Sequence, residues 1–400
     1  MSDRPVRLFV IAGEPSGDLL GGALLKGLRQ LVGRRLEVAG IGGPAMAGAG
    51  LASRFPMEEL SVMGLAEVLP RARNLLRRIR ETGDAVAAAR PDALITIDSP
   101  DFCLRVARRA RRSLPELRVI HYVAPSVWAW RPGRAAKMAK VVDHVLALLP
   151  FEPPYMEAAG MTCDFVGHPV VGEPRATPHE TAALRAEIGV GARQPLLALL
   201  PGSRRGEVTR LGPVFAATAR RLRAERPDLA FVVPAAAPVA GVVREMLGDV
   251  GAVLDPTTLT QAEGNARKWS ALAAADVALA ASGTVSVEIA AQGTPMVVAY
   301  DAAWLTAQIV RRMVRIETPT LVNLVTGTRA VPDFLFDDCT PERIAPAVAR
   351  LLDDHAAAQA QRTVGAQAMD LLGRGGEPPG LRAARSVLGA LDRCAPGHTP

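Results

Sequence analysis

Aromatic residues make up only 4% of this 400-residue chain, although 49% of it is hydrophobic. That scarcity disfavours a β-sandwich built on aromatic pairs and favours helices packed on sheets, with Ala, Gly and Leu filling the interior. Its four cysteines, Cys103, Cys163, Cys339 and Cys394, are scattered without CxxC spacing. They predict reduced thiols in a cytoplasmic protein, not a disulfide framework or a thiolate metal site. No window approaches ~18 uninterrupted apolar residues, so no transmembrane helix is expected. The start, "MSDRPVRLFVIAGE", runs straight into a strand pattern and lacks the long apolar segment and cleavage site of a secretory signal. There is no DxD, no HExxH or other histidine cluster, no GxSxG elbow, no Walker A loop and no GxGxxG. Neither a metal nor a cofactor is expected.

What is present is alternation. "VRLFVIAG", "LEVAGIGG", "DALITIDSPDF" and "LRVIHYVAPS" read as strands separated by helical stretches. After a Pro-rich, weakly periodic connection around 166–195 the alternation restarts with "PLLALLPGSR", "LAFVVPAA", "ADVALAAS" and "TPMVVAY". Such βαβ repetition predicts an α/β protein of two Rossmann-like domains with parallel sheets, 1–170 and 171–340, followed by a helical tail, 341–400. The charge is uneven. Residues 1–170 hold 23 Lys+Arg against 17 Asp+Glu, so +6 of the overall +7 lies in the first half. A basic half faces something anionic: nucleic acid, an anionic membrane or a phosphorylated substrate.

Four strand exits carry the polar residues that could do chemistry. "AGEPSGD" (12–18) is a Gly-rich turn opening a helix, able to aim N–H groups at an anion or serve merely as a tight βα turn. "PGSRR" offers Ser203, the fork of Arg204 and backbone amides to phosphate oxygens; the alternative is a solvated turn. In "ASGTVSVE", Ser282, Gly283 and Thr284 open a helix, and Glu288 lies one turn in on the same face. A carboxylate there could accept ribose hydroxyls beside a bound diphosphate, or could simply complement the helix dipole. In "ITIDSPDF", Asp98 leaves a buried strand, as a turn residue or as a base at the sheet edge. A separate stretch, 62–80, sets Val62, Met63, Leu65, Val68 and Leu69 before Arg71, Arg73, Arg77, Arg78 and Arg80. That mixture suits either a membrane interface or an ordinary amphipathic helix.

Taken in order, "AGEPSGDLLG", "GIGGPAM", "EELSVMGLAEVL", "IDSPDF", "IHYVAPSVWAW", "LLPFE", "FVGHP", "LLPGSR", "ASGTVSVE" and "PTLVNLV" resemble the lipid-A-disaccharide synthases over roughly residues 7–345. The resemblance implies a GT-B fold and an inverting, metal-independent glycosyltransferase. Its substrates would be UDP-2,3-diacylglucosamine and 2,3-diacylglucosamine 1-phosphate, and its products a β-1,6 disaccharide 1-phosphate and UDP. Carried over residue by residue, Asp98 becomes the candidate base. Arg204, Glu288 and Asn323 become donor-site candidates, and Ser203, Ser282, Gly283 and Thr284 join them from the reading of the strand exits. Glu14, Ser16, Gly17, His121 and Trp128 stand as acceptor or loop candidates. Met63, Leu65, Val68, Leu69, Arg73 and Arg77 would meet the anionic cytoplasmic face of the inner membrane, where the protein would be peripheral. A UDP-sugar epimerase of the same fold is the rival reading. A nucleic-acid partner is not expected, because aromatics are few and no binding module is recognisable. The oligomeric state is left open, a homodimer included.

Overall fold

The computed structural model describes residues 4–60, 65–129, 133–302 and 317–392; side chains are described outside 65–72. The chain forms two compact units, residues 1–172 with 375–400, and residues 173–374.

The first unit is built on six parallel strands: β1 Val6–Ala12, β2 Leu36–Ile41, β3 Ala93–Ile97, β4 Arg118–Tyr122, β5 His144–Ala147 and β6 Thr162–Phe165. Their order is β2-β1-β3-β4-β5-β6, with Val10 opposite both Gly40 and Ile95. Helices cover both faces, so the central strands are continuous apolar runs. Alternate residues face opposite sides. Phe9, Ile11, Leu94, Val119 and Val145 fill one core, and Leu8, Val10, Ile95, Ile120 and Leu146 fill the other. The helices named below are α1 Pro15–Val32, α2 Pro44–Gly48, α3 Leu65–Ala89, α4 Pro100–Ser113 and α5 Gly133–Met138.

The second unit repeats the plan with β7 Leu196–Leu200, β8 Ala230–Pro234, β9 Ala252–Leu254, β10 Val277–Ala281, β11 Met296–Tyr300 and β12 Asp333–Leu335. All are parallel, in the order β12-β11-β10-β7-β8-β9. The central strands "LLALL" and "VALAA" are wholly buried.

The helices within 341–392 do not form one tail, which corrects that expectation. The helix His355–Leu371 belongs to the second unit. There Gln361 donates to the carbonyls of Met296 and Ala330, both at 3.1 Å, and accepts from the Met296 amide. The helix Pro379–Asp392 belongs to the first unit and lies against α1. A Cβ on Gly27 would stand 2.6 Å from the Gly380 carbonyl oxygen, and one on Gly380 would stand 2.6 Å from that of Ala23. Only glycine permits that approach. Ser386 then completes the joint: its hydroxyl donates to Asp164 at 2.6 Å and meets His144 Nε2 at 2.7 Å. Amphipathic periodicity marks each helix but is silent on which body it covers.

Candidate functional site

In open parallel sheets ligands bind beyond the carboxyl ends of the strands, where strand order reverses. In the first sheet that point lies between β1 and β3, because α1 leads to β2 on one side and the chain returns through α3 to β3 on the other. In the second sheet it lies between β7 and β10.

At the first reversal, Gly13 and Glu14 follow β1, and Asp98 and Ser99 follow β3. A Cβ on Gly13 would lie 2.6 Å from Ser99 Oγ, so the two exits touch. The Asp98 amide donates to the Tyr122 carbonyl at 3.0 Å, extending the ladder one residue past β3. Asp98 and Ser99 both have left-handed backbone, φ 53° and 43°, and Val123 after β4 has φ 83°. Asp tolerates this region, but a β-branched valine does not. Such conformations cost about 1–3 kcal/mol each and persist where the surroundings impose them. The Asp98 carboxylate is half-buried, and its Oδ1 accepts from the Ser99 amide at 2.9 Å. Burial and then the charge of Asp98 push the Cys103 thiol pKa upward.

Glu14 caps α1, its carbonyl accepting from Asp18 N–H at 2.9 Å. Ser16 is exposed in the first turn, whereas Gly17 is buried against the Ile97 carbonyl. Asp18, which sequence reasoning did not single out, is buried and accepts from the amides of Gly43, Ala45 and Met46 at 2.8, 2.8 and 3.0 Å. It ties "SGD" to the start of α2.

His121 lies in the interior of the first sheet. It is 1% exposed within β4, its Nδ1 sits 2.8 Å from Thr96 Oγ1, and burial pulls its pKa down to about 4. Its side chain is packed inside the sheet, against Thr96. Trp128 is half-buried, edge-on to Phe151 at 5.2 Å, and its Nε1 donates to Glu152 at 3.3 Å. Glu152 was not singled out as a candidate, although "LLPFE" contains it. It is 3% exposed and accepts from the amides of Leu148 and Leu149 at 3.1 and 3.0 Å. Burial nevertheless lifts its pKa to about 7 against those donors.

At the second reversal, Ser203 and Arg204 are exposed at the start of the helix Arg205–Glu225. Glu207 folds back over this turn. Its Oε2 accepts from the amides of Ser203 and Arg204 at 3.2 and 3.3 Å, and its Oε1 from the Arg204 guanidinium at 3.2 Å. The amides and guanidinium of this turn thus already engage a carboxylate, as the open donors of a helix start do. After β10, Ser282 and Gly283 are half-buried and Thr284 is exposed at the start of the helix Val285–Gln292. Glu288 accepts from Lys268 Nζ at 3.0 Å through Oε2, and Lys268 lies 4.3 Å from the Trp269 ring centre. The ammonium offsets the carboxylate charge, and Oε1 takes no bond from the described residues.

Asn323 lies inside the second unit. It is 1% exposed, its amide nitrogen donates to the Val331 carbonyl at 2.8 Å, and its oxygen accepts from the Val331 amide at 3.0 Å. Both ends hold the 327–331 turn.

Met63 lies outside the described residues, and the side chains of Leu65, Val68 and Leu69 on α3 do too. Further along α3, Arg73 and Arg77 are exposed and Leu76 is 50% exposed. Arg78 instead turns inward to Glu59 at 2.7 Å, stacks over Phe55 and draws the Glu59 pKa down to about 2. Among the described residues no helix is long and apolar enough to cross a membrane.

Solved structures share this architecture at low identity. UDP-GlcNAc 2-epimerase from Neisseria meningitidis, bound to UDP-GlcNAc, aligns with a TM-score of 0.63 at 11% identity, covering 96% of this chain and 99% of that one. The glycotransferase of kitacinnamycin aligns at 0.58 and 17% identity, covering 97% and 100%. One is an epimerase and the other a transferase, so these likenesses establish the GT-B-type fold alone. Sequence similarity is more specific. The family model described as lipid-A-disaccharide synthetase matches residues 8–377. Lipid-A-disaccharide synthase of Ruegeria pomeroyi is 60% identical over 391 residues, covering 97% of this chain and 96% of that one. The corresponding protein of Rhodospirillum centenum is 47% identical over 390 residues, covering 98% and 96%. The chain belongs to the lipid-A-disaccharide synthase family of glycosyltransferases.

Proposed function

We propose that the enzyme transfers the 2,3-diacylglucosamine of its UDP conjugate to the 6-hydroxyl of 2,3-diacylglucosamine 1-phosphate, releasing UDP. One observation carries the assignment of roles. Each sheet's reversal point brings together the polar strand exits, Glu14 and Asp98 in one unit, "PGSR" and "SGT" in the other.

The second unit takes the donor. Arg204, Ser203 and the amides after β10 receive the diphosphate, and Glu288 accepts from the ribose hydroxyls. The first unit takes the acceptor. Asp98 removes the proton of the 6-hydroxyl as that oxygen bonds to the anomeric carbon and the bond to the UDP oxygen breaks. A single displacement inverts the α-linked donor to a β-linked product. Charge growing on the departing diphosphate is met by Arg204 and the helix N–H groups. Both substrates carry acyl chains, and α3, with exposed Leu76 between Arg73 and Arg77, suits docking on an anionic inner-membrane surface from the cytoplasmic side.

UDP release tests the reading. Detergent-dispersed donor should yield UDP only when the acylated 1-phosphate acceptor is present, with a β-linked disaccharide as co-product. Acceptor-independent UDP release or sugar isomerisation would return the protein to epimerase chemistry.

A further inference from the structure

Helix α4 carries five arginines, and the structure divides them. Arg109 is held by Asp84 through two bonds of 2.8 and 2.9 Å, and Arg111 is held by Asp143 and the Leu117 carbonyl. Arg105, Arg108 and Arg112 are exposed, and no hydrogen bond or ion pair engages them among the described residues. Their spacing, three and then four residues, places them on one face of the helix.

Two adjoining cavities share Arg105 and Arg108. One, about 410 Å³, opens between α3 and α4 and includes Leu76, Arg80 and Arg112 in its lining. The other, about 570 Å³, runs from Pro100 and Asp101 along α4 to Arg134, Lys137 and Met138 of α5. Four cations line this second cavity, against one carboxylate, Asp101. Leu104, Pro125 and Met138 supply apolar wall. A solvated arginine face needs no such enclosure. Cations crowded in a concave, partly apolar site repel one another unless an anion enters.

The position of the cavity decides which anion. It begins at the turn that presents Asp98, since Pro100 and Asp101 lie two and three residues after it. Arg105 lies roughly 6 Å and Arg108 roughly 10 Å along the helix axis from Asp101. A hexose with its 6-hydroxyl at Asp98 would thus extend its anomeric end towards the two guanidiniums. We infer that Arg105 and Arg108, assisted by Arg134 and Lys137, bind the phosphomonoester on the anomeric carbon of the acceptor. The cavity is then a specificity site that selects a phosphorylated over an unphosphorylated acceptor. This rests on the acceptor assignment above, and the same phosphate chemistry could come from a lipid headgroup, so the test separates the two.

The experiment compares kcat/KM for 2,3-diacylglucosamine 1-phosphate and for 2,3-diacylglucosamine, in wild type and in Arg105→Ala/Arg108→Ala. The double variant should lose roughly 100-fold on the phosphorylated acceptor, with little loss on the unphosphorylated one and an unchanged KM for the donor. Arg105→Lys/Arg108→Lys keeps the charges but not the forks and should lie between. Arg220→Ala, on an exposed pair with Asp249 in the other unit, should change neither rate. Equal loss on both acceptors, or none on either, overturns the inference. So does loss of anionic-vesicle sedimentation with acceptor discrimination intact, which would assign the arginines to a headgroup. Direct binding of glucosamine 1-phosphate by calorimetry covers the remaining case. Arginine-dependent binding without any transfer would sink the proposed reaction and keep the phosphate site, whereas no binding would remove the site itself.

Discussion

The two sheets turn the chain at their reversal points with different residues. After β7 and β10 the positive φ angles belong to Gly202 and Gly283, at 121° and 150°. After β3 and β4 they belong to Asp98, Ser99 and Val123. Glycine accepts such angles freely and lets a ligand approach the backbone, which is what a phosphate loop requires. A residue with a side chain accepts them at a cost, and the cost is tolerated where the turn must present that side chain. The contrast separates a unit whose edge offers amides from one whose edge offers a carboxylate.

The sharpest way to break that contrast is Asp98→Asn. Asparagine tolerates the left-handed backbone, and its Oδ1 can still accept from the Ser99 amide, so the turn is kept and basicity removed. Single-turnover rates at saturating substrates should fall by roughly 10²–10⁴, with UDP affinity unchanged. Asp101→Asn, exposed in the first turn of α4, should be much milder. Near-normal chemistry in Asp98→Asn would leave the strained turn without a catalytic purpose, and the buried, neutral His121 could not take its place.

A second test probes the first unit's edge through stability. Glu152 titrates near 4.5 in an unfolded chain and near 7 in the folded one. A raised folded pKa means that its contribution to stability is complete below about pH 4.5 and is lost as pH rises towards 7. The difference of about 2.5 units corresponds to roughly 3 kcal/mol. Buried His121 and His168, both drawn down to about 4, act in the opposite sense, losing stability as pH falls from about 6.5 to 4. Comparing denaturant unfolding of wild type with that of Glu152→Gln between pH 4.5 and 7.5 isolates the carboxyl. The variant should gain on wild type as pH rises. A constant difference would mean that the two amides and the Trp128 indole hold Glu152 ionised in spite of its burial.

Much of this was legible before the fold. Parallel strands buried on both faces are apolar runs, and Gly-rich strand exits are local in sequence, so the two units and the turns at Ser203 and Ser282 could be read directly as turns. The burial of Asn323 and of His121 could not. An asparagine opening onto a ligand and one closing the 327–331 turn look identical, and so do a histidine at a sheet edge and one inside it. The burial of Glu152 is likewise tertiary, although "LLPFE" drew attention to the segment. Glu207 is different: a carboxylate three residues after the cap position is a local helix-start signal, and spacing alone could have flagged it.

That carboxylate sets up the smallest effects expected, at the second unit's edge. Glu207 occupies the turn proposed for the diphosphate, so a nucleotide must displace it from Arg204. The Arg204–Glu207 pair is exposed, with Arg204 63% accessible, and such pairs contribute only about 0–1 kcal/mol. A charge-assisted contact between a guanidinium and phosphate contributes about 1.5–3 kcal/mol. The nucleotide therefore wins the competition. Arg204→Ala should weaken UDP binding by roughly 10–100-fold, and Glu207→Gln should shift it by less than about fivefold, towards tighter binding. Calorimetry with UDP on both variants measures each term. If Arg204→Ala leaves UDP affinity unchanged, the turn after β7 is not the diphosphate site. If Glu207→Gln weakens binding as much as Arg204→Ala does, the carboxylate is holding the turn in its binding shape instead of competing for it, and the glycine-built edge depends on a side chain after all.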